Sequence, residues 1–137
     1  KLTIAGETID LDRIVQPLYV VTAEDDHIAP WKQCYRIRKY INVQAQVRFV
    51  RSSSGHILGI VNPPVNPPKR SYWIGEPERN EHWEHWFDRA EHKPGSWWED
   101  WTAWLGARCG ELVEAYPAAS RAYPALAEAP GTYVLEK

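Results

Sequence analysis

Leu18-Tyr19-Val20-Val21-Thr22-Ala23-Glu24-Asp25-Asp26-His27 is the stretch whose reading decides the fold. Its first six residues make a short, continuous, β-rich apolar run, the pattern of a strand buried on both faces as in parallel sheets. Pro17 keeps the residue before it out of helical conformation, and the acidic cluster ends the run abruptly. Pro30 suits the first turn of a helix. Trp31 through Tyr40, with Cys34, Tyr35 and Ile37 set among basic residues, predicts one amphipathic helix. Val43 to Val50 then reads as a second strand, stopping at Arg51-Ser52-Ser53-Ser54-Gly55-His56. Strand, helix and strand in this length make a βαβ unit with a right-handed crossover, which places the chain in the α/β class.

Outward from this unit the chain changes character. Residues 1–17 read as loop and short extended pieces. After His56, Ile57-Leu58-Gly59-Ile60-Val61 leads into Asn62-Pro63-Pro64-Val65-Asn66-Pro67-Pro68-Lys69-Arg70, whose prolines exclude a helix or a central strand. Two helices follow. Trp83, Trp86, Phe87 and Ala90 share one helical face, and Trp97, Trp101, Trp104 and Leu105 share another. Pro94-Gly95 breaks the chain between them, and Ser96 can cap the second helix with Glu99 as its capping-box partner. From Ala115 onward the Ala- and Pro-rich tail reads as an irregular strap.

Composition narrows the classes. A chain of 137 residues holds one domain with a real core, and 44% hydrophobic with 25% charged residues is ordinary for a globular protein. A formal net charge of −2 gives no electrostatic reason to expect nucleic acid or an acidic membrane surface. No apolar run has transmembrane length, and no basic-then-apolar signal segment opens the chain, so an intracellular location is expected. The chain contains no Met and opens Lys1-Leu2-Thr3-Ile4, as a fragment starting within a domain would. Cys34 and Cys109 sit in neither a CxxC pair nor a metal spacing, so two reduced, partly buried thiols are expected.

The chemistry gathers at the two strand ends. In a sheet with helical crossovers, functional groups collect outside the carboxyl ends of parallel strands. Here one strand ends in acids and a His, and the next ends in Ser-Gly-His. Adjacent parallel strands bring Asp26 and His56 to one rim, and acid followed by His is the order of α/β-hydrolase triads after their nucleophile. A carboxylate accepting the imidazole Nδ1–H fixes the tautomer and stabilises the imidazolium, and Gly55 would let the backbone turn sharply to present the ring. A strand-end Asp is also a common turn former, and a lone His is often structural. No Gly-x-Ser-x-Gly or Gly-x-Cys-x-Gly elbow occurs, and neither Cys34 nor Cys109 is flanked by the required glycines. The first member of any triad would lie upstream of Lys1.

These motifs carry a family resemblance. Glu24-Asp25-Asp26-His27-Ile28-Ala29-Pro30-Trp31 resembles the E-D-H-I-x-P-W signature of polyhydroxyalkanoate synthases. So do Ser54-Gly55-His56-Ile57, Val61-Asn62-Pro63-Pro64, Lys69-Arg70-Ser71-Tyr72-Trp73, His92-x-x-Gly95-Ser96-Trp97-Trp98 and the closing Glu128-Ala129-Pro130-Gly131-Thr132-Tyr133-Val134. The resemblance spans essentially the whole chain and is nearest the class I type. It implies that residues 1–137 are the C-terminal segment of one α/β-hydrolase catalytic domain. It also implies a Cys-His-Asp triad polymerising (R)-3-hydroxyacyl-CoA into polyester, with CoA as leaving group rather than cofactor. By the same resemblance the triad Asp falls on Asp26 and the His on His56, with His27, Ile28 and Leu58 as substrate-pocket candidates. Leu58 departs from the small Ala that often follows His-Ile in the family. A homodimeric parent enzyme in the cytoplasm, at the surface of the polyester granule, is implied as well.

Blander readings stand beside these. His27 can be a structural histidine. His82, His85, Asp88 and His92 form the polar side of a Trp-bearing helix more readily than a metal site, so no metal is expected. The Trp clusters fit core packing better than a sugar- or polymer-binding platform, and Lys69-Arg70 fits a solvated loop as well as a CoA phosphate contact. An esterase or depolymerase fragment, or a non-catalytic interaction module, are the alternatives. An upstream Cys elbow favours the synthase, a Ser elbow a hydrolase, and neither the module. The isolated chain is expected to be inactive.

Overall fold

The computed structural model describes residues 2–117 and 119–136; Lys1, the last residue and one position of the Ala-rich tail lie outside it. A small antiparallel hairpin, β1 (Leu2–Ile4) with β2 (Glu7–Ile9), opens the chain and turns at Ala5-Gly6, both at positive φ. The strand expected at Leu18–Ala23 is β3, with those bounds. It pairs in parallel with β4 (Val47–Ser52), from Leu18 opposite Val47 to Ala23 opposite Ser52.

The crossover differs from the single helix expected. It is two short helices, α1 (Trp31–Cys34) and α2 (Ile37–Tyr40). Around their junction the backbone N–H groups of Arg36, Arg38 and Lys39 donate to carbonyls three residues back, so the turn is tightened rather than broken. The second strand starts later than expected, at Val47 instead of Val43. The Asn42 side chain accepts from Gln44 N–H, and Arg38 donates to the carbonyls of Asn42 and Val43, which holds this stretch in a turn.

Two strands were not foreseen. β5 (Ser71–Gly75) pairs antiparallel with β4, and β6 (Glu91–Pro94) pairs antiparallel with β5, giving the order β3-β4-β5-β6. The parallel pair is thus extended by an antiparallel edge. β6 escapes a pattern reading because its side chains are mostly exposed and it ends in a proline, features an edge strand tolerates.

The side-chain period of two distributes the core over both faces of the sheet. On one face Phe49 meets Trp31, Tyr35 and the fully buried Trp86, supplied by α1 and by α3 (Trp83–Arg89). Phe49 and Trp86 stand edge to face with centroids 5.0 Å apart. On the other face Val50, Tyr72 and Ile74 meet Trp97 of α4 (Trp97–Gly106). The Trp83 helix behaves as the core element its spacing predicts. On α4 the burial falls chiefly on Trp97, while Trp101 and Leu105 remain partly exposed. Ser96 caps α4, accepting from Trp98 N–H at 3.0 Å. The helix is tied to the sheet through Asp100, which accepts from Tyr19 OH at 2.9 Å and Arg48 Nε at 2.7 Å. Burial alone would raise the Asp100 carboxyl, but these hydrogen bonds outweigh it and hold it below the usual range. Beyond Gly106 the described residues hold little regular structure, and Leu112, Tyr116, Tyr123 and Leu126 are almost fully exposed.

Candidate functional site

Both chemistry-bearing loops leave the sheet at the carboxyl ends of β3 and β4, and the ladder carries them outward in register. Glu24 N–H donates to Ser52 O at 2.8 Å and Asp25 N–H to Ser54 O at 3.0 Å, one step beyond the last strand residues. The left-handed backbone residue of the second loop is Ser54, at φ 86°, rather than Gly55. A Cβ on Gly55 would meet only Asp25 O at 3.7 Å, an ordinary contact, so the sharp turn is made one residue earlier than the sequence suggested.

Asp26 is buried at the start of its loop. Its Oδ1 accepts from Ala29 N–H at 2.8 Å and Ile28 N–H at 2.9 Å, and its Oδ2 lies 2.8 Å from His56 Nδ1. The Ala29 amide, the His56 contact and the Ile28 amide hold the carboxyl below the usual aspartate range, against the opposing effect of burial. An ionised Asp26 can only accept, so Nδ1 of His56 is the donor in this contact and Nε2 is the ring nitrogen not engaged by the carboxylate. The imidazole is about half exposed, so Nε2 is open to a reacting group.

The other sequence candidates sit around this pair. His27, Ile28 and Leu58 are exposed. Ile28 meets the pair through its amide, not its side chain. Cys34 is a free, half-buried thiol whose Sγ lies 3.6 Å from Ala29 O. Burial raises its pKa and the neighbouring Asp26 charge raises it further, the opposite of what activates a nucleophile. Cys109 is free and exposed, not partly buried as expected. Among the described residues no group of three or more His, Cys, Asp or Glu is placed to hold a metal ion, and no helix is long and apolar enough to cross a membrane.

The supports of the site escaped the sequence reading. Glu24 pairs with Arg51, whose guanidinium packs against Trp31, Trp73 and Phe87 at 5.1, 4.7 and 4.5 Å, tying the acidic loop to β4. The turn after His56 is held from α4: the Trp97 indole donates to Gly59 O and the Trp98 indole to Ile60 O, each at 3.0 Å. Ser96 Oγ donates to Asn62 O. No local pattern announces such pairings; only the repeated Trp-Trp after Ser96 was a signal.

A carboxylate and an imidazole bonded across the ends of adjacent parallel strands, in a mixed α/β sheet flanked by Trp-rich helices, define the class as α/β proteins with a His–Asp pair. No family model matches the chain. Whole-chain similarity does. It is 37% identical over 137 residues to the poly(3-hydroxyalkanoate) polymerase subunit PhaC of Rhizobium etli, and 40% identical over 141 residues to that of Cupriavidus necator. It is 39% identical over 137 residues to poly(3-hydroxyalkanoate) polymerase 1 of Ectopseudomonas oleovorans. These alignments cover 100%, 100% and 99% of this chain but 21%, 23% and 24% of those proteins, so the chain spans about a fifth to a quarter of their length. Throughout its length the chain is therefore similar to part of the poly(3-hydroxyalkanoate) polymerases.

Proposed function

We propose that this chain is the C-terminal segment of the α/β-hydrolase catalytic domain of a class I polyhydroxyalkanoate synthase, and that it supplies the Asp and His of a Cys-His-Asp triad. The observation carrying this reading is the 2.8 Å contact between His56 Nδ1 and Asp26 Oδ2. It sits at the strand ends where such chemistry gathers.

In this reading the upstream Cys thiol gives its proton to His56 Nε2 and the thiolate attacks the thioester carbon of (R)-3-hydroxyacyl-CoA. The C–S bond to CoA breaks, and the departing CoA sulfur takes the proton from the imidazolium. The 3-hydroxyl of another acyl unit then attacks the acyl carbon of the acyl-enzyme: one ester bond forms, the bond from that carbon to the Cys sulfur breaks, and the freed thiolate is the nucleophile for the next unit. His56 takes the hydroxyl proton, because both oxygens of Asp26 are already engaged by the two amides and the imidazole. Asp26 stabilises the imidazolium throughout. Ile28 and Leu58, exposed beside the pair, contribute to the acyl pocket, with His27 next to them. The parent works as a homodimer at the granule surface in the cytoplasm, on hydroxyacyl-CoA and the growing polyester.

The test is CoA release from (R)-3-hydroxybutyryl-CoA by the parent enzyme. Asp26→Asn should cut the rate by roughly 10³-fold or more, by analogy with triad carboxylates elsewhere, and His56→Gln should do the same. The isolated chain should release none. Rates within a few-fold of wild type in the Asp26→Asn enzyme would refute the assignment.

A further inference from the structure

Three successive residues at the start of α4 reach three carbonyls of the segment after His56. Ser96 Oγ donates to Asn62 O, Trp97 Nε1 to Gly59 O at 3.0 Å, and Trp98 Nε1 to Ile60 O at 3.0 Å. The turn they hold is itself tight, with Gly59 N–H to Gly55 O and Val61 N–H to Ile57 O, both at 2.8 Å. Its opposite side leans on the end of β3: Gly59 packs so close to Ala23 that there is no room for a Cβ. Ala23 in turn accepts from Asp26 N–H. The segment bearing His56 is therefore gripped between the strand that delivers Asp26 and the first turn of α4.

The grip has a rigid base. Asp100, on the same helix, bonds Tyr19 of β3 and Arg48 of β4 at 2.9 and 2.7 Å. The indole donors are thereby referenced to both strands of the parallel pair. A buried indole N–H needs an acceptor in any case; here both acceptors are carbonyls of the turn that follows His56. Two adjacent indoles aimed at two adjacent carbonyls fix where the turn sits along its own direction, which burial of a ring does not.

We infer that Trp97 and Trp98 are positioning residues for His56: their N–H groups set the turn so that Nδ1 meets Asp26 Oδ2. This rests on the proposed role of the Asp26–His56 pair. Neither indole touches substrate; each acts through the backbone of the turn.

The experiment uses the full-length synthase with benzothienylalanine placed at 97, at 98 or at both. This keeps the ring shape and replaces the N–H with sulfur. The expected result is a fall in kcat of about tenfold at either position, with KM within about twofold, since an interaction felt only through geometry of the reacting groups is lost. The downfield Nδ1–H proton resonance of His56 should broaden or disappear in the same variants, a signature that loss of packing elsewhere would not produce. The same replacement at the partly exposed Trp101 is the control and should leave both unchanged. An unaltered kcat and an unaltered Nδ1–H resonance in the doubly substituted enzyme would overturn the inference. Asp26→Asn, run alongside, separates the two claims. If it leaves the rate intact, the proposed function fails; if it abolishes the rate while the double replacement does nothing, the positioning role alone fails.

Discussion

Replacing Gly59 by Ala asks the most of the reasoning with a single methyl group. A Cβ at 59 would fall far inside 3.0 Å of the Ala23 Cβ and 2.9 Å from Gly55 O, where ordinary contact begins at 3.4 Å. Neither neighbour can swing away, since one is a methyl on the strand end and the other is backbone. The turn must move off β3 by about 1 Å to accommodate it, at a cost of about 1–3 kcal/mol for overpacking. His56 rides on that turn. Its 2.8 Å contact to Asp26 would open to roughly 3.8 Å, beyond hydrogen-bond reach. A misplacement of that size costs on the order of 10²-fold in rate when it falls on a catalytic group. On the proposed function, CoA release by Gly59→Ala in the full-length protein should therefore drop about a hundredfold. Ala23→Gly in the same enzyme removes the Cβ–Cβ conflict but leaves Gly55 O, so part of the activity should return and the two substitutions should couple. Gly59→Ala activity within threefold of wild type, or no recovery from Ala23→Gly, would refute the argument.

Other expectations follow from the same contacts. Asp26 and Asp100 both have folded carboxyl pKa values below their unfolded ones, so they stabilise the fold above the ordinary aspartate range near 3.9. That contribution is lost as pH falls through it and below, and acid unfolding followed by tryptophan fluorescence should be eased by Asp100→Asn. At the alkaline end Tyr72 is pushed up to about 12, chiefly by burial and then by the Asp100 charge. Its stabilising effect is complete below the unfolded value of 10.0 and lost as pH rises from there through about 12; the difference in spectrophotometric titration between the protein and its Tyr72→Phe variant should show Tyr72 ionising only as the fold opens. Asp100→Asn should also lower the urea midpoint of the full-length protein by an amount corresponding to about 2 kcal/mol, because the partly buried Arg48 guanidinium loses its anion. On the proposed function, Leu58→Ala in the full-length protein should widen acceptance toward longer acyl chains, read from competing hydroxyacyl-CoA substrates; an unchanged preference removes Leu58 from the proposed pocket.

Much of the fold was legible where a pattern is local. Leu18–Ala23 declared itself by an unbroken apolar run, and the two Trp-bearing helices by their 3.6-residue period and the Ser96 cap. The start of β4 was misread because Asn42 and Arg38 engage the backbone of residues 42–44, and no hydropathy pattern reports such bonds. β5 and β6 were missed because each gains its order from a neighbour: Tyr72 and Ile74 alternate over too few residues to stand out, and Glu91–Pro94 has almost nothing to bury.

By itself the sequence determined which residue types arrive at the strand ends and in what order, because strand, crossover and strand are encoded within about forty neighbouring positions. It also carried, through its motifs, the resemblance to the polyhydroxyalkanoate synthases. Only the tertiary structure decided that Asp26 turns its Oδ2 toward His56 while two amides hold its Oδ1, and that Gly59 rather than Gly55 is the glycine with no room to spare. It alone decided that Trp97 and Trp98, some forty residues after His56, hold the turn that bears it. The physical reason is range. Periodicity and capping act within a few residues, whereas hydrogen bonds between distant segments exist only once packing has brought those segments together.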